Sequence, residues 1–168
     1  MSERAVPVVS FVGKSGSGKT TLLEKVIAEL TRRGYRVATI KHHTHSSDVD
    51  IPGKDTWRHA RAGAREVVLK GEGVVAVFKS LDTQPGLPEL LALIDDADIV
   101  LTEGFHREGS TMIEVSRRAC STELVNDPSR LFALVTDNVF ETNGLPVLGL
   151  DNHLAVVELI ETTFLAAR

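Results

Sequence analysis

Apolar positions fall along the chain in two kinds of block: short continuous runs that suit buried strands, and spaced sets that suit one face of a helix. Val6 to Val12 is a brief, β-branched run and predicts a buried strand. Leu22, Leu23, Val26, Ile27 and Leu30 then recur at helical spacing, with Gly34 where a C-terminal cap belongs. Arg36 to Lys41 predicts a second strand, and strand, helix and strand in succession imply a parallel sheet with a right-handed crossover. A short helix is expected over Lys54 to Ala62. Glu66 to Lys70 and Val74 to Phe78, joined through Gly71-Glu72-Gly73, read as a hairpin, which allows a mixed sheet.

Further along, Glu89 to Ile94 predicts a helix entered through Gly86 and Pro88. Strands are expected over Asp98 to Glu103, Thr111 to Val115, Leu131 to Val135 and Leu145 to Gly149. The last helix is expected to take Asp151 as its N-cap and to bury Leu154, Val157, Ile160 and Phe164. No internal repeat or low-complexity linker interrupts this order. Residues 1–168 therefore read as a single domain.

Between the first strand and first helix lies Gly13-Lys14-Ser15-Gly16-Ser17-Gly18-Lys19-Thr20, which matches the phosphate-cradling P-loop pattern at every fixed position and runs on into Thr21. Its glycines let backbone N–H groups surround a phosphate, the helix N-terminus adds its positive dipole end, and Lys19 places a point charge on the outer phosphates. Thr20 offers a hydroxyl to Mg2+. Downstream, the apolar strand ending in Thr102-Glu103-Gly104 resembles a Walker B element, whose carboxylate faces the metal or its water shell. The expected architecture is thus an α/β, P-loop NTPase-like three-layer sandwich with a mainly parallel central sheet.

Composition narrows the partners. A hydrophobic content of 42% and charged content of 25% are ordinary for a globular chain, and no apolar run nears the ~20 residues of a membrane span. A net charge of −4 argues against general affinity for a nucleic-acid backbone. One cysteine, Cys120, excludes an intramolecular disulfide and reads as a small apolar residue. The N-terminus leads straight into the first strand, leaving no room for a signal peptide, so a cytoplasmic protein is expected.

Four separated motifs resemble the molybdopterin-guanine dinucleotide biosynthesis protein B (MobB) family: the loop Gly13 to Thr20; Lys41-His42-His43-Thr44-His45 with Asp48-Val49-Asp50; Gly53-Lys54-Asp55-Thr56 leading to Ala62-Gly63-Ala64; and Leu101-Thr102-Glu103-Gly104-Phe105. The resemblance implies a GTP-binding homodimer with weak GTPase activity. It would assist a partner nucleotidyltransferase that attaches GMP to molybdopterin, and so help complete the guanine dinucleotide form of the molybdenum cofactor. It carries Mg2+ onto Thr20 and Glu103, with an acidic residue of the Asp48/Asp50 loop, Asp50 being the one expected, as a further ligand, and assigns Lys19 and Glu103 to catalysis. The final third of the chain carries no motif that matches as firmly.

Other readings stand beside this one. His42, His43 and His45 crowd one loop and suit a metal-insertion GTPase, whereas the lack of accompanying cysteines favours polar contacts to phosphate, pterin or solvent. A small-molecule kinase is the other rival, with a lid drawn from Arg58, Arg61 and Arg65 or from Arg107, Arg117 and Arg118. The bland reading of these arginines is solvated surface or an anion site for a partner's pterin phosphate. No Asn-Lys-x-Asp tetrapeptide occurs to read guanine, and no Gln follows the Walker B element to orient water, which fits slow hydrolysis. Base selection is expected at Asp137, whose carboxylate suits guanine N1–H and the exocyclic amine; a loop-capping role suits it equally.

Overall fold

A computed structural model of the chain describes residues 6–42, 49–106, 108 and 111–166. Its contacts divide it into two compact units: residues 1–43 with 86–168, and residues 44–85.

The first unit is built on a six-stranded sheet in the order β2-β5-β1-β6-β7-β8, comprising β1 (Val8–Val12), β2 (Val37–Lys41), β5 (Ile99–Glu103), β6 (Met112–Ser116), β7 (Leu131–Thr136) and β8 (Val147–Leu148). Each of its pairings is parallel. β1 lies between β5 and β6, and the chain leaves it through helix α1 (Lys19–Arg32) to reach β2 beyond β5. The carboxyl end of β1 is therefore a point where the strand order reverses, the place where open α/β sheets hold ligands.

Parallel strands are covered on both faces, which is why these runs are apolar nearly throughout. Val9, Phe11, Ile99, Leu101, Ile113, Ala133 and Val135 join Leu22, Val26 and Leu30 of α1 and Val156, Val157 and Ile160 of helix α4 (His153–Ile160) in one core. Val12, Met112 and Leu131 form a smaller cluster, with Leu145 against it. Gly34 ends the first helix as expected, at φ +92°.

Two expectations need correction. Asn152, not Asp151, caps α4, its side-chain oxygen accepting from the Ala155 amide at 3.2 Å. Val157 and Ile160 are buried as expected, but Val156 goes inward in place of Leu154, which is 48% exposed. Helix α3 (Leu87–Leu91) also ends earlier than its apolar spacing suggests, and it begins earlier because Pro88 sits in the first helical turn, where its missing N–H costs nothing.

The second unit holds helix α2 (Asp55–Arg61) and strands β3 (Glu66–Lys70) and β4 (Val75–Lys79). The two strands pair antiparallel, as the glycine-bracketed connection predicts. They form a two-stranded sheet of their own, so the central sheet is not mixed. Among the described residues, no helix is long and apolar enough to cross a membrane.

Candidate functional site

The Gly13–Thr20 segment leaves β1 as a loop and enters α1 at Lys19. Gly13 has φ +138°, and a Cβ there would lie 2.3 Å from the carbonyl oxygen of Val115, so only glycine fits against β6. Gly18 is left-handed at φ +96° and caps α1 without a side chain, and the first turn carries no acidic residue. That helix end therefore keeps its positive pole for an external anion.

Lys19 folds back over the loop, its Nζ donating to the carbonyls of Gly13 at 3.0 Å and Lys14 at 2.7 Å. Burial lowers its pKa, opposed by the negative charge of Glu103. An arriving phosphate would compete with two carbonyls for the ammonium and offer it a full negative charge in exchange. Ser17 is 1% exposed, and its hydroxyl oxygen has no hydrogen-bond partner among the described residues. A buried polar atom left unpaired inside a phosphate-type loop fits a ligand that completes it.

Thr20 donates its hydroxyl to Glu103 Oε1 at 2.9 Å, and Lys41 Nζ stands 3.4 Å from Glu103 Oε2. The Thr20 hydroxyl and the Glu103 carboxylate are thus brought together across β1 and β5. Their hard oxygen donors suit Mg2+. Directly after Glu103 the backbone turns left-handed, freely at Gly104 with φ +100° and under strain at Phe105 with φ +60°. The Phe105 ring stacks on His42 at 5.2 Å, and a Cβ at Gly104 would press on His42 at 3.0 Å. Such strain in a non-glycine residue is stored where surrounding packing holds it, commonly at ligand sites.

Of the remaining candidates, Ser15, Gly16 and Thr21 are exposed around the same loop. Asp137 follows β7 and accepts from the Arg118 amide at 2.6 Å, while Arg118 Nη2 donates to the Asp137 carbonyl at 2.8 Å. It also lines a cleft of about 630 Å³ with Arg117, Thr136 and the segment 149–152. Asp50 belongs to the second unit, where it accepts from the Ile51 amide at 2.7 Å and lines a 370 Å³ cleft with Trp57 and Arg61. His43, His45, Asp48 and Arg107 lie outside the described residues. The arginines around α2 are engaged locally: Arg58 with Asp55, Arg61 over the Trp57 ring and Arg65 with Asp82.

Sequence reasoning missed a strap after β6 that packs on the loop. Lys14 Nζ donates to Ser121 Oγ at 2.7 Å and faces Glu123 at 3.6 Å, and the Cys120 thiol donates to the Ser15 carbonyl at 3.0 Å. Glu114 of β6, only 1% exposed, anchors the far end of this strap by accepting from the amides of Val125 and Asn126 and from the Asn126 side chain. The available signal was a carboxylate inside an otherwise apolar strand.

Comparisons with known proteins agree with this geometry. A family model described as "Molybdopterin guanine dinucleotide synthesis protein B" matches residues 8–137. The chain is 37% identical over 138 residues to the molybdopterin-guanine dinucleotide biosynthesis adapter protein of Haemophilus influenzae, covering 81% of this chain and 78% of that one. It is 36% identical over 116 residues to the Escherichia coli adapter protein, covering 67% of this chain and 66% of its relative. The crystal structure of Bacillus subtilis MobB superposes with a TM-score of 0.74 at 28% identity, covering 94% of this chain and 98% of that one. Built on a parallel sheet with a phosphate-type loop at its switch point, this chain belongs to the MobB family.

Proposed function

We propose that the chain is a GTP-dependent adapter in the synthesis of molybdopterin guanine dinucleotide. It binds GTP with Mg2+ at Gly13–Thr21, hydrolyses it slowly and, as a homodimer, assists a nucleotidyltransferase that joins GMP to molybdopterin. The observation that carries this reading is the pairing of the Gly13–Thr20 loop with Glu103 through Thr20, at 2.9 Å. The adapter role is supported by the relatives of H. influenzae and E. coli, both named as adapter proteins for this dinucleotide.

In this reading the loop amides and the α1 N-terminus hold the inner phosphates, and Lys19 exchanges its two carbonyl contacts for the outer ones. Thr20 and Glu103 hold Mg2+, which when bound neutralises charge on the phosphate chain. Asp137 has one oxygen engaged by the Arg118 amide, leaving the other for the guanine edge in the adjacent cleft. Hydrolysis is slow because the described residues after Glu103 place no Gln to orient water.

The test is reconstitution. Adding the protein to a partner nucleotidyltransferase with molybdopterin, GTP and Mg2+ should raise the yield of guanine dinucleotide, with slow phosphate release from GTP. The Lys19→Ala variant should give neither effect. Equal yields with wild type, variant and no addition would overturn the adapter reading.

A further inference from the structure

Arg117 is the strap residue that no motif absorbs. It opens the segment after β6 and lies beside Gly18. Its Nη2 sits 3.2 Å, and its Nε 3.7 Å, from where a Cβ on that glycine would stand. Neighbouring Arg118 is committed to Asp137, and the Arg117 carbonyl accepts from the Cys120 and Ser121 amides, but among the described residues the Arg117 guanidinium has neither an ion pair nor a hydrogen bond. An unpaired guanidinium held against the helix-entry glycine of a phosphate loop is placed to meet an anion there, and the buried, unpartnered Ser17 hydroxyl in the same loop independently points to a missing polar partner.

Strand order decides which phosphate that is. β5 and β6 flank β1 on opposite sides, so Glu103 with Thr20 marks one side of the loop and Arg117 the other. Farther out on the Arg117 side come β7 and β8, with the cleft that holds Asp137 and segment 149–152, and Arg117 lines that cleft too. A nucleotide whose outer phosphates lie at Thr20 and Glu103, and whose base enters the Asp137 cleft, must pass Arg117 with its innermost phosphate.

We propose that Arg117 is an α-phosphate clamp: its guanidinium fork grips the phosphate nearest the ribose, which mono-, di- and triphosphates share. The assignment rests on the nucleotide-binding reading above. It divides labour between two cations, with Lys19 sensing the outer phosphates and Arg117 holding the inner one. The clamp is a determinant of affinity and orientation and has no part in the hydrolytic step.

Wild type, Arg117→Ala and Arg117→Lys are titrated with labelled GDP and GTP, and the turnover of bound GTP is followed in a single-turnover assay, with circular dichroism checking the fold. Arg117→Ala should weaken GDP and GTP by the same factor, roughly 10- to 100-fold as befits charge-assisted hydrogen bonds. Turnover of bound GTP should fall by a much smaller factor than affinity does. Arg117→Lys should recover only part of the affinity, since a point charge replaces a fork. Loss of turnover with GDP affinity intact would place the guanidinium at the outer phosphate and overturn the clamp. Unchanged affinity for both nucleotides would also overturn it while leaving the phosphate loop standing. If wild type binds no nucleotide, the loop reading itself falls and the clamp with it.

Discussion

Glu114 offers the sharpest test of how the fold supports the site. Its carboxylate is 1% exposed, in the middle of β6 between Val12 of β1 and Leu134 of β7. Oε1 accepts from the Val125 amide at 2.6 Å, and Oε2 accepts from the Asn126 amide at 3.0 Å and its Nδ2 at 2.7 Å. Glu114→Ala strands three donors, each costing about 1–3 kcal/mol when left unpaired. Two effects reduce the sum. Removing a buried carboxylate relieves its own desolvation, and Val125 is 44% exposed, so water can reach this turn. The net loss should be about 2–4 kcal/mol, a large share of the ~5–15 kcal/mol that stabilises a typical domain. Glu114→Gln refines the test, because a carboxamide keeps one acceptor and turns an NH2 group toward donors. It should cost about 1–2 kcal/mol despite its matching shape. Urea unfolding followed by far-UV ellipticity is the assay, since the single Trp57 reports on the second unit. A Glu114→Gln protein within about 0.5 kcal/mol of wild type would refute the reasoning, because it would show that the strap does not need both oxygens.

Glycine substitutions should separate strain from collision. Gly34→Ala, at φ +92° with open space around it, should cost about 1–2 kcal/mol, whereas Gly13→Ala should cost more and disable phosphate binding, since its Cβ would meet the Val115 carbonyl at 2.3 Å; thermal melts rank the two. The Glu29 carboxyl is held down to about 2 by hydrogen bonds from Arg32 and Arg33. Its folded pKa lies below the ordinary 4.5, so its contribution is present above that pH and is lost as pH falls toward about 2. Glu29→Gln should therefore flatten stability against pH in that window, measured by urea midpoints from pH 6 to ~2. Asp137→Ala should lower the preference for GTP over ATP by about 1 kcal/mol, the low end of the ~1–3 kcal/mol of a bidentate base contact because the Arg118 amide holds one of its oxygens, and leave phosphate affinity largely in place; competition titration with both nucleotides reads the ratio.

Much of this molecule is legible in its sequence because the informative signals are local. The first strand, glycine loop and first helix occur within one continuous stretch, and their periods and turn residues require no knowledge of the rest of the fold. Thr20 and Glu103 stand out in the sequence through their two motifs, and the parallel pairing of β1 with β5 is what brings them into contact. What stayed hidden depends on tertiary pairing. The two short runs joined through Gly71-Glu72-Gly73 predict a hairpin but not which sheet it joins. Asp151 and Asn152 are both good caps, and only packing of Val156 against the core selects the second. Arg117 reads as surface charge until β6 is seen to run beside β1, and Glu114 reads as a strand residue until its strap is folded over it.

Nucleotide titration by calorimetry, on wild type and Lys19→Ala side by side, tests the central claim most directly. Lys19 donates to two loop carbonyls, so the variant should stay folded by circular dichroism, losing about 1–2 kcal/mol of stability with those contacts. Wild type should bind GTP with Mg2+ at one site per chain, and the variant should bind it at least about 100-fold more weakly, having lost its charge-assisted contacts to the outer phosphates. Equal affinities in two folded proteins, or no binding by either, would contradict the assignment of Gly13–Thr20 as the phosphate site.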